Sequence, residues 1–329
     1  MRKSRAGALG LGLAAVLLLS ACGGGSPSGS ADAPSSGGTD GDLTPISVGV
    51  LSIAPSVAMQ YGIDEGVFED HGLKVELQTG QGGAAMLPAI SNGNMDFAVG
   101  NPLSVLTAAD KGLDVRIVTG YSASKAEGED INGVVTRKDS GIDGFADLAG
   151  QTTSVNTLKT QGDLTIMEAA AQDGADPTQL KFNEMGFQDM EAQLDRGNTD
   201  AIWVPEPFLS RALANPDNKL VGYPNQEAIP GLPTMVTFTG GGYAEAHPDV
   251  VKRFRDAMQQ TLTGAQSNQG DAKALLPKFM GMDADMAKGL KMEPWDAAVP
   301  TAQLQKLGEL TVKYDYLSKQ PDLDKIIVK

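Results

Sequence analysis

The chain has 329 residues, 41% of them hydrophobic and 20% charged, and a formal charge of −15. This is a globular composition, and the length exceeds what one small core needs, so two domains are expected. The acidic balance argues against nucleic acid as a partner and against electrostatic docking on an anionic lipid surface.

Arg2, Lys3 and Arg5 precede an apolar run, Leu9 to Leu19, interrupted only by Gly10 and Gly12. A basic flank and a short apolar core followed by small residues mark residues 1–21 as an export signal, since a membrane span takes roughly 20 apolar residues. Leu19-Ser20-Ala21-Cys22 resembles a bacterial lipobox and contains the chain's single cysteine. That resemblance implies cleavage before Cys22 and lipidation of Cys22, which places the protein on the extracytoplasmic face of the cell membrane. An ordinary signal peptide that happens to contain Cys22 is the alternative. Cleavage removes three cations and takes the formal charge from −15 to about −18. No cysteine is then left for a disulfide or a thiol nucleophile. Residues 22–44 are mainly Gly, Ser, Ala, Pro, Asp and Thr with one leucine, too little apolar area to offset ordering entropy, so a flexible tether is expected.

From Pro45 onward strand-like and helix-like segments alternate. Ile46–Leu51 and Leu73–Leu77 read as strands, with a helix over Ser56–Asp70 interrupted near Gly62. Gly80-Gln81-Gly82-Gly83 is a turn and Ala84–Ser91 a helix stopped by Gly93. Phe97–Val99 is a strand, Pro102–Asp110 a helix and Val115–Thr119 a strand. The second half follows with strands at Gln151–Val155, Leu180–Phe182 and Ala201–Val204, and helices at Thr160–Ala171 and Gln188–Leu194. Met235–Phe238 is a late strand; helices begin at Pro248 and Pro300, the first with Val251, Phe254, Met258, Thr261 and Leu262 on one side.

One pattern occurs twice. Gly93-Asn94-Met95-Asp96 precedes Phe97-Ala98-Val99, and Gly197-Asn198-Thr199-Asp200 precedes Ala201-Ile202-Trp203-Val204. In each case a helix stop leads into an apolar strand and then a proline-bearing loop. Alternation of this kind predicts mostly parallel sheets covered by helices, with ligands outside the carboxyl ends of the strands. Asn101 and Glu206 would then stand on opposite walls of one cleft. Crossings between domains are expected near Gly120–Val134 and Gly222–Thr234.

Gly62-x-x-x-Gly66-Val67-Phe68-x-x-x-Gly72-Leu73-x-Val75, Ala89-Ile90-x-x-Gly93-x-x-Asp96-Phe97, Asp147–Gln151, Leu194-x-x-Gly197-x-x-Asp200-Ala201, Glu206-Pro207-Phe208 and His247–Val251 occur in this order. Together they resemble the solute-binding proteins of ABC importers, in the branch that takes nitrate, sulfonates, taurine and thiamine-type pyrimidines. The resemblance implies an α/β, two-lobed type II periplasmic-binding-protein-like fold, each lobe a mostly parallel sheet flanked by helices, joined by two hinge crossings. Lobe 1 would comprise residues 45–121 and 235–329, and lobe 2 residues 122–234 including the hinges. It implies a monomer that binds a small molecule between its lobes and a permease partner, with the membrane reached only through the lipid. A sulfonate, taurine or nitrate-like solute is expected; a nitrogen heterocycle, or a sensor role on the same fold, is the alternative.

Candidate ligand contacts follow from position. Thr157, Lys159 and Thr160 lie where a strand ends and a helix starts, a place that favours anions. Thr160 with Asp163 also has the spacing of a capping box. Ser52 and Ser56 follow the first strand, and Ser56 would equally cap the next helix. Gln81 sits in a glycine-rich turn, Asn101 at a helix start, and Tyr121 after the last strand of lobe 1. Trp203 is either sheet core or a flat cleft wall. Glu206 either accepts from a ligand amine or pairs with a base at the hinge. No metal site and no cofactor are expected. His71 and His247 flank helix boundaries, and with no thiol, G-x-S-x-G or HExxH, an enzyme is not expected.

Overall fold

A computed structural model describes residues 43–329. The expected signal peptide, Cys22 and the tether as far as residue 42 lie outside the described residues. Contacts join residues 43–329 into one compact unit.

Ten strands occur among the described residues: β1 (Thr44–Leu51), β2 (Leu73–Gly80), β3 (Phe97–Gly100), β4 (Val115–Ala123), β5 (Asn132–Arg137), β6 (Thr152–Val155), β7 (Lys181–Glu184), β8 (Ala201–Pro205), β9 (Asn218–Gly222) and β10 (Pro233–Gly240). They form two five-stranded sheets, ordered β2-β1-β3-β10-β4 and β7-β6-β8-β5-β9. In the first, β1 runs parallel to β2 and β3, whereas β10 is antiparallel to β3 and β4. In the second, β6 runs parallel to β7 and β8, whereas β5 is antiparallel to β8 and β9. Each sheet is therefore mostly parallel with one reversed strand. The reversed strands are the two that arrive from the other lobe. A chain that leaves one sheet at the carboxyl end of its strands starts the next strand at the cleft and must run away from it.

Two of these strands, β5 and β9, are not anticipated by sequence. β5 begins inside the stretch expected as the first crossing, Gly120–Val134, and β9 ends where the second was expected to begin. The first helix breaks at Gly66, which adopts φ 72, and not at Gly62. Gly62 lies inside the helix Val57–Asp64, where a β-carbon would run into the Thr261 side chain of the helix Pro248–Ser267. It is a packing glycine that lets two helices approach.

The repeated pattern has a shared structural role. Gly93 and Gly197 both take positive φ, 74° and 73°, and end a helix. Asp96 then accepts from the Ser47 backbone N–H at 2.7 Å, and Asp200 from the Thr152 N–H at 2.8 Å. Each aspartate thus ties the loop before a strand to the neighbouring strand of its own sheet, leaving no buried donor unpaired there. The asparagine or glutamate after each strand is also used alike: Asn101 Oδ1 accepts from Ser104 N–H at 2.9 Å, and Glu206 from Ser210 N–H at 3.0 Å.

A segment near the C-terminus completes the cleft. Gly120 N–H donates to Ala297 at 2.8 Å, Ala123 N–H to Pro294 at 3.2 Å, and Asp296 N–H to Tyr121 at 3.0 Å. Residues 294–297 therefore lie along the free edge of β4. Gly120 permits this, because a β-carbon there would collide with the Ala298 and Asp296 carbonyls. Across the lobes, Lys313 Nζ and Tyr314 Oη reach Glu168 at 2.6 and 2.7 Å. Burial pushes that carboxyl up, but its hydrogen bonds from Lys313, Tyr314 and Gln172 outweigh this and hold it below the usual range.

Candidate ligand-binding cleft

The carboxyl ends of β1, β3, β6 and β8 converge where the lobes meet. Direct hydrogen bonds cross between them: Ala54 N–H to the Glu206 carbonyl at 3.0 Å, and Asn156 Nδ2 to the Gln81 carbonyl at 3.3 Å. Under this seam lies a cavity of about 50 Å³. Leu51, Ile53 and Pro55 after β1 and Phe187, Trp203 and Pro205 of the second lobe give it apolar walls. Polar side chains enter from Asn156 after β6, from Asn101, Thr160 and Gln161 at helix starts, and from Asn132, Asn225, Thr234 and Glu293 near the crossings. Apolar walls with a few convergent polar groups are the usual make-up of a small-molecule site.

Three lining residues have buried polar atoms without a partner: Gln161 Oε1, Trp203 Nε1 and Asn225 Nδ2. Gln161 and Asn225 are 2% and 0% exposed. A buried unpaired donor or acceptor costs about 1–3 kcal/mol, so this concentration at one cavity marks a place built for a polar guest. Trp203 has both roles that its position allows, since it is buried against Phe187 at 6.1 Å between ring centres and also lines the cavity.

Glu293 is the ionisable side chain of the lining, and the described lining residues include no Lys, Arg or His. It is 1% exposed. Its oxygens accept from Asn132 Nδ2 at 2.7 Å and Thr234 Oγ1 at 2.6 Å. Burial, then the nearby Asp130, pushes this carboxyl up to about 7.

Of the other residues nominated from sequence, Asn101 and Thr160 line the cavity and the rest fall elsewhere. Ser52 and Gln81 line an adjoining groove of about 530 Å³ that shares Leu51, Ile53 and Phe187 with it. Ser56 is fully buried with an unpartnered Oγ, does not cap its helix, and is not in the lining. Tyr121 sits inside β4 and donates to the Pro55 carbonyl at 3.1 Å, as does Trp295 Nε1 at 3.0 Å. It holds the cavity wall from behind, and burial raises its hydroxyl pKa. Thr157 faces Gly82 across the seam, where a β-carbon would lie 3.1 Å from Thr157 Oγ1.

Lys159 and Glu206 are placed differently from the sequence expectation. Lys159 has φ 56, which turns it away from the cavity; its Nζ lies 5.6 Å over the Tyr316 ring. Its backbone N–H and that of Thr160 already donate to Asp163, at 2.6 and 2.8 Å. The helix Gln161–Gln172 thus brings its own carboxylate to its first turn, which takes up donors that a bound anion would otherwise use. Glu206 is buried but outside the lining, and both of its oxygens are taken by Ser210. Burial raises its pKa, against the lowering effect of those bonds. Loss of these two hydrogen bonds in Glu206→Ala should cost about 1 kcal/mol in urea unfolding and change ligand affinity less than about twofold. A tenfold loss of affinity at full stability would return Glu206 to the binding site.

Asn132, Asn156, Gln161, Phe187, Asn225, Thr234 and Glu293 are lining residues that the sequence did not single out. Glu293 had a visible signal: an acid set between Met292 and Pro294-Trp295 in a stretch without helical spacing.

A model described as NMT1/THI5 like matches residues 55–272. No curated protein sequence is a match. Among solved structures, the chain is similar to the periplasmic aliphatic sulphonate binding protein SsuA from Escherichia coli, with TM-score 0.69 and 18% identity over 86% of this chain and 97% of that one. It is similar to the alkanesulfonate-binding protein SsuA from Xanthomonas axonopodis pv. citri bound to MOPS, with TM-score 0.73 and 15% identity over 88% and 99%. The periplasmic nitrate-binding protein NrtA from Synechocystis PCC 6803 gives TM-score 0.71 and 12% identity over 87% and 86%. These structures share the two-lobed fold expected from the sequence, and the match over residues 55–272 makes the chain a member of the NMT1/THI5-like family.

Proposed function

We propose that this protein is the solute-binding component of an ABC importer. It captures a small organic solute between its lobes on the extracytoplasmic side and presents the closed form to a permease. It acts as a monomer, held to the membrane by lipid on Cys22, and is not an enzyme. The observation that carries this reading is the set of unpartnered buried atoms, Gln161 Oε1, Trp203 Nε1 and Asn225 Nδ2, on residues around one cavity at the seam. A ligand that satisfies atoms from both lobes favours their closed arrangement by its differential affinity for it.

Two ligand classes divide the support. The sulfonate- and nitrate-binding neighbours favour a sulfonate, taurine or nitrate-like solute. The chemistry of the lining, rather than the ~50 Å³ it encloses, favours a nitrogen heterocycle: flat apolar walls at Trp203 and Phe187, a mixed set of donors and acceptors, and no cation among the described lining residues. A thermal-shift panel of taurine, alkanesulfonates, nitrate, thiamine-type pyrimidines and flavins separates them. A true ligand at a hundredfold its dissociation constant adds about 2.7 kcal/mol to native stability. Absence of any shift across the panel would count against solute binding by this cleft.

A further inference from the structure

Glu293 occupies a position that capture of a generic solute does not explain. Its carboxylate touches both crossings at once, through Asn132 at the start of β5 and Thr234 in β10, and it comes from a third segment packed along β4. It lines the cavity. The second buried carboxyl nearby, Asp130, accepts from Ser124 Oγ at 2.5 Å and Lys125 N–H at 3.2 Å. The groups facing Glu293 are thus Asp130, Tyr121, Asn132, Thr234 and Ser122, none of them cationic. Lys291, two residues away on the same segment, pairs outward with Glu129 at 2.6 Å. Lys125 acts on Asp130, but no cation acts on Glu293, so the base of the cavity carries acid without a counter-charge at Glu293 itself. A carboxylate also has lone pairs left after accepting from Asn132 and Thr234.

We propose that Glu293 is the charge-selecting residue of the cleft, accepting hydrogen bonds from a cationic nitrogen group of the solute and rejecting anions. This rests on the solute-binding reading above and narrows it to solutes bearing an amidinium-like or ammonium-like group. An anion in the same space would stand against Glu293 and Asp130 in a site with little water to screen them. A cation would complete the pairing that the fold leaves open, and would displace the proton from Glu293 to solvent wherever that carboxyl is protonated. Burial and Asp130 hold Glu293 near half-protonation at neutral pH. Capture is then linked to pH in the direction opposite to that of an anion site.

The test uses probes of fixed charge, so that only the protein titrates. Binding of acetamidinium, benzamidinium, methanesulfonate and nitrate to the full chain is measured by ligand-observed NMR at pH 5.5 and 8.5, with Glu293→Gln alongside. Amidinium affinity is expected to rise about 30-fold over that range for a carboxyl titrating at about 7, and the slope is expected to vanish in Glu293→Gln. The two anions are expected not to bind the unsubstituted protein. That comparison of signs needs no variant, so it stands even if Glu293→Gln fails to fold. Preference for an anion over both amidiniums, or an unchanged pH slope in Glu293→Gln, would overturn the inference and leave solute binding intact. Failure of these probes and of every solute in the thermal-shift panel would overturn both.

Discussion

Trp203→Ala should destabilise the protein by about 3–5 kcal/mol, as measured by urea unfolding, and abolish solute binding. The ring is 8% exposed on β8, stacked on Gly162 and beside Phe187, whose own ring lies 5.7 Å from Phe208. A β-carbon on Gly162 would lie 2.8 Å from the indole, so the helix Gln161–Gln172 is seated directly on it. Removing the ring therefore empties the core under the helix that carries Thr160 and Gln161 to the cavity. Trp203→Phe separates the two roles. It keeps an aromatic wall and removes an N–H that has no partner. Stability should stay within about 1 kcal/mol of the parent, because deleting an unsatisfied buried donor offsets part of the lost packing. Affinity for the solute should nevertheless fall about tenfold, the worth of one well-placed hydrogen bond. Equal losses of stability and affinity in the phenylalanine variant would mean that the indole N–H has no part in binding.

The same residue shows how much of the site was legible in the sequence. The order of strands and helices, the doubled Gly-Asn-x-Asp pattern and the cleft at the carboxyl ends of strands all follow from local rules, and Asn101, Thr160 and Trp203 line the cavity. Asn101 and Trp203 sit one or two positions from a strand end and Thr160 at the start of the helix that follows β6, where topology alone aims them at the cleft. Lys159 and Glu206 satisfy the same positional rule, yet their side chains are used locally. A positive φ turns Lys159 toward Tyr316, and Ser210, four residues after Glu206, takes both carboxylate oxygens. Neither was readable beforehand: the Glu206–Ser210 pair is no standard cap, and no glycine or asparagine announces the φ of Lys159.

What the sequence could not reveal comes from three stretches without periodicity. Asn132 and Asn225 flank the crossings, and Glu293 lies in the loop that runs along β4. Their convergence depends on β5 and β10 entering the sheets reversed, a tertiary fact with no local signature.

Unligated protein should be most stable on the acid side of neutrality as far as Glu293 is concerned. Its folded pKa, about 7, stands above its ordinary value of 4.5, so between those limits the native state keeps a proton that the unfolded chain releases. Stability therefore falls as pH rises through that window, is fully penalised above about 7, and regains the difference below 4.5. The penalty is about 3 kcal/mol, since each pKa unit corresponds to about 1.4 kcal/mol. Asp130, Asp163 and Glu206, also raised by burial, slope the same way, so the informative quantity is the difference between parent and Glu293→Gln. Urea unfolding at pH 5, 6, 7 and 8 should show the variant gaining on the parent by about 2.5 kcal/mol across the series, part of the penalty being present already at pH 5, because glutamine has no charge to bury. A constant difference would mean that Glu293 is solvated or already paired in the free protein. A growing one would mean that the cleft keeps an acid at a standing cost to its own stability. Such a cost is removed when a bound cation pairs with it, which would tie solute capture to closure of the two lobes.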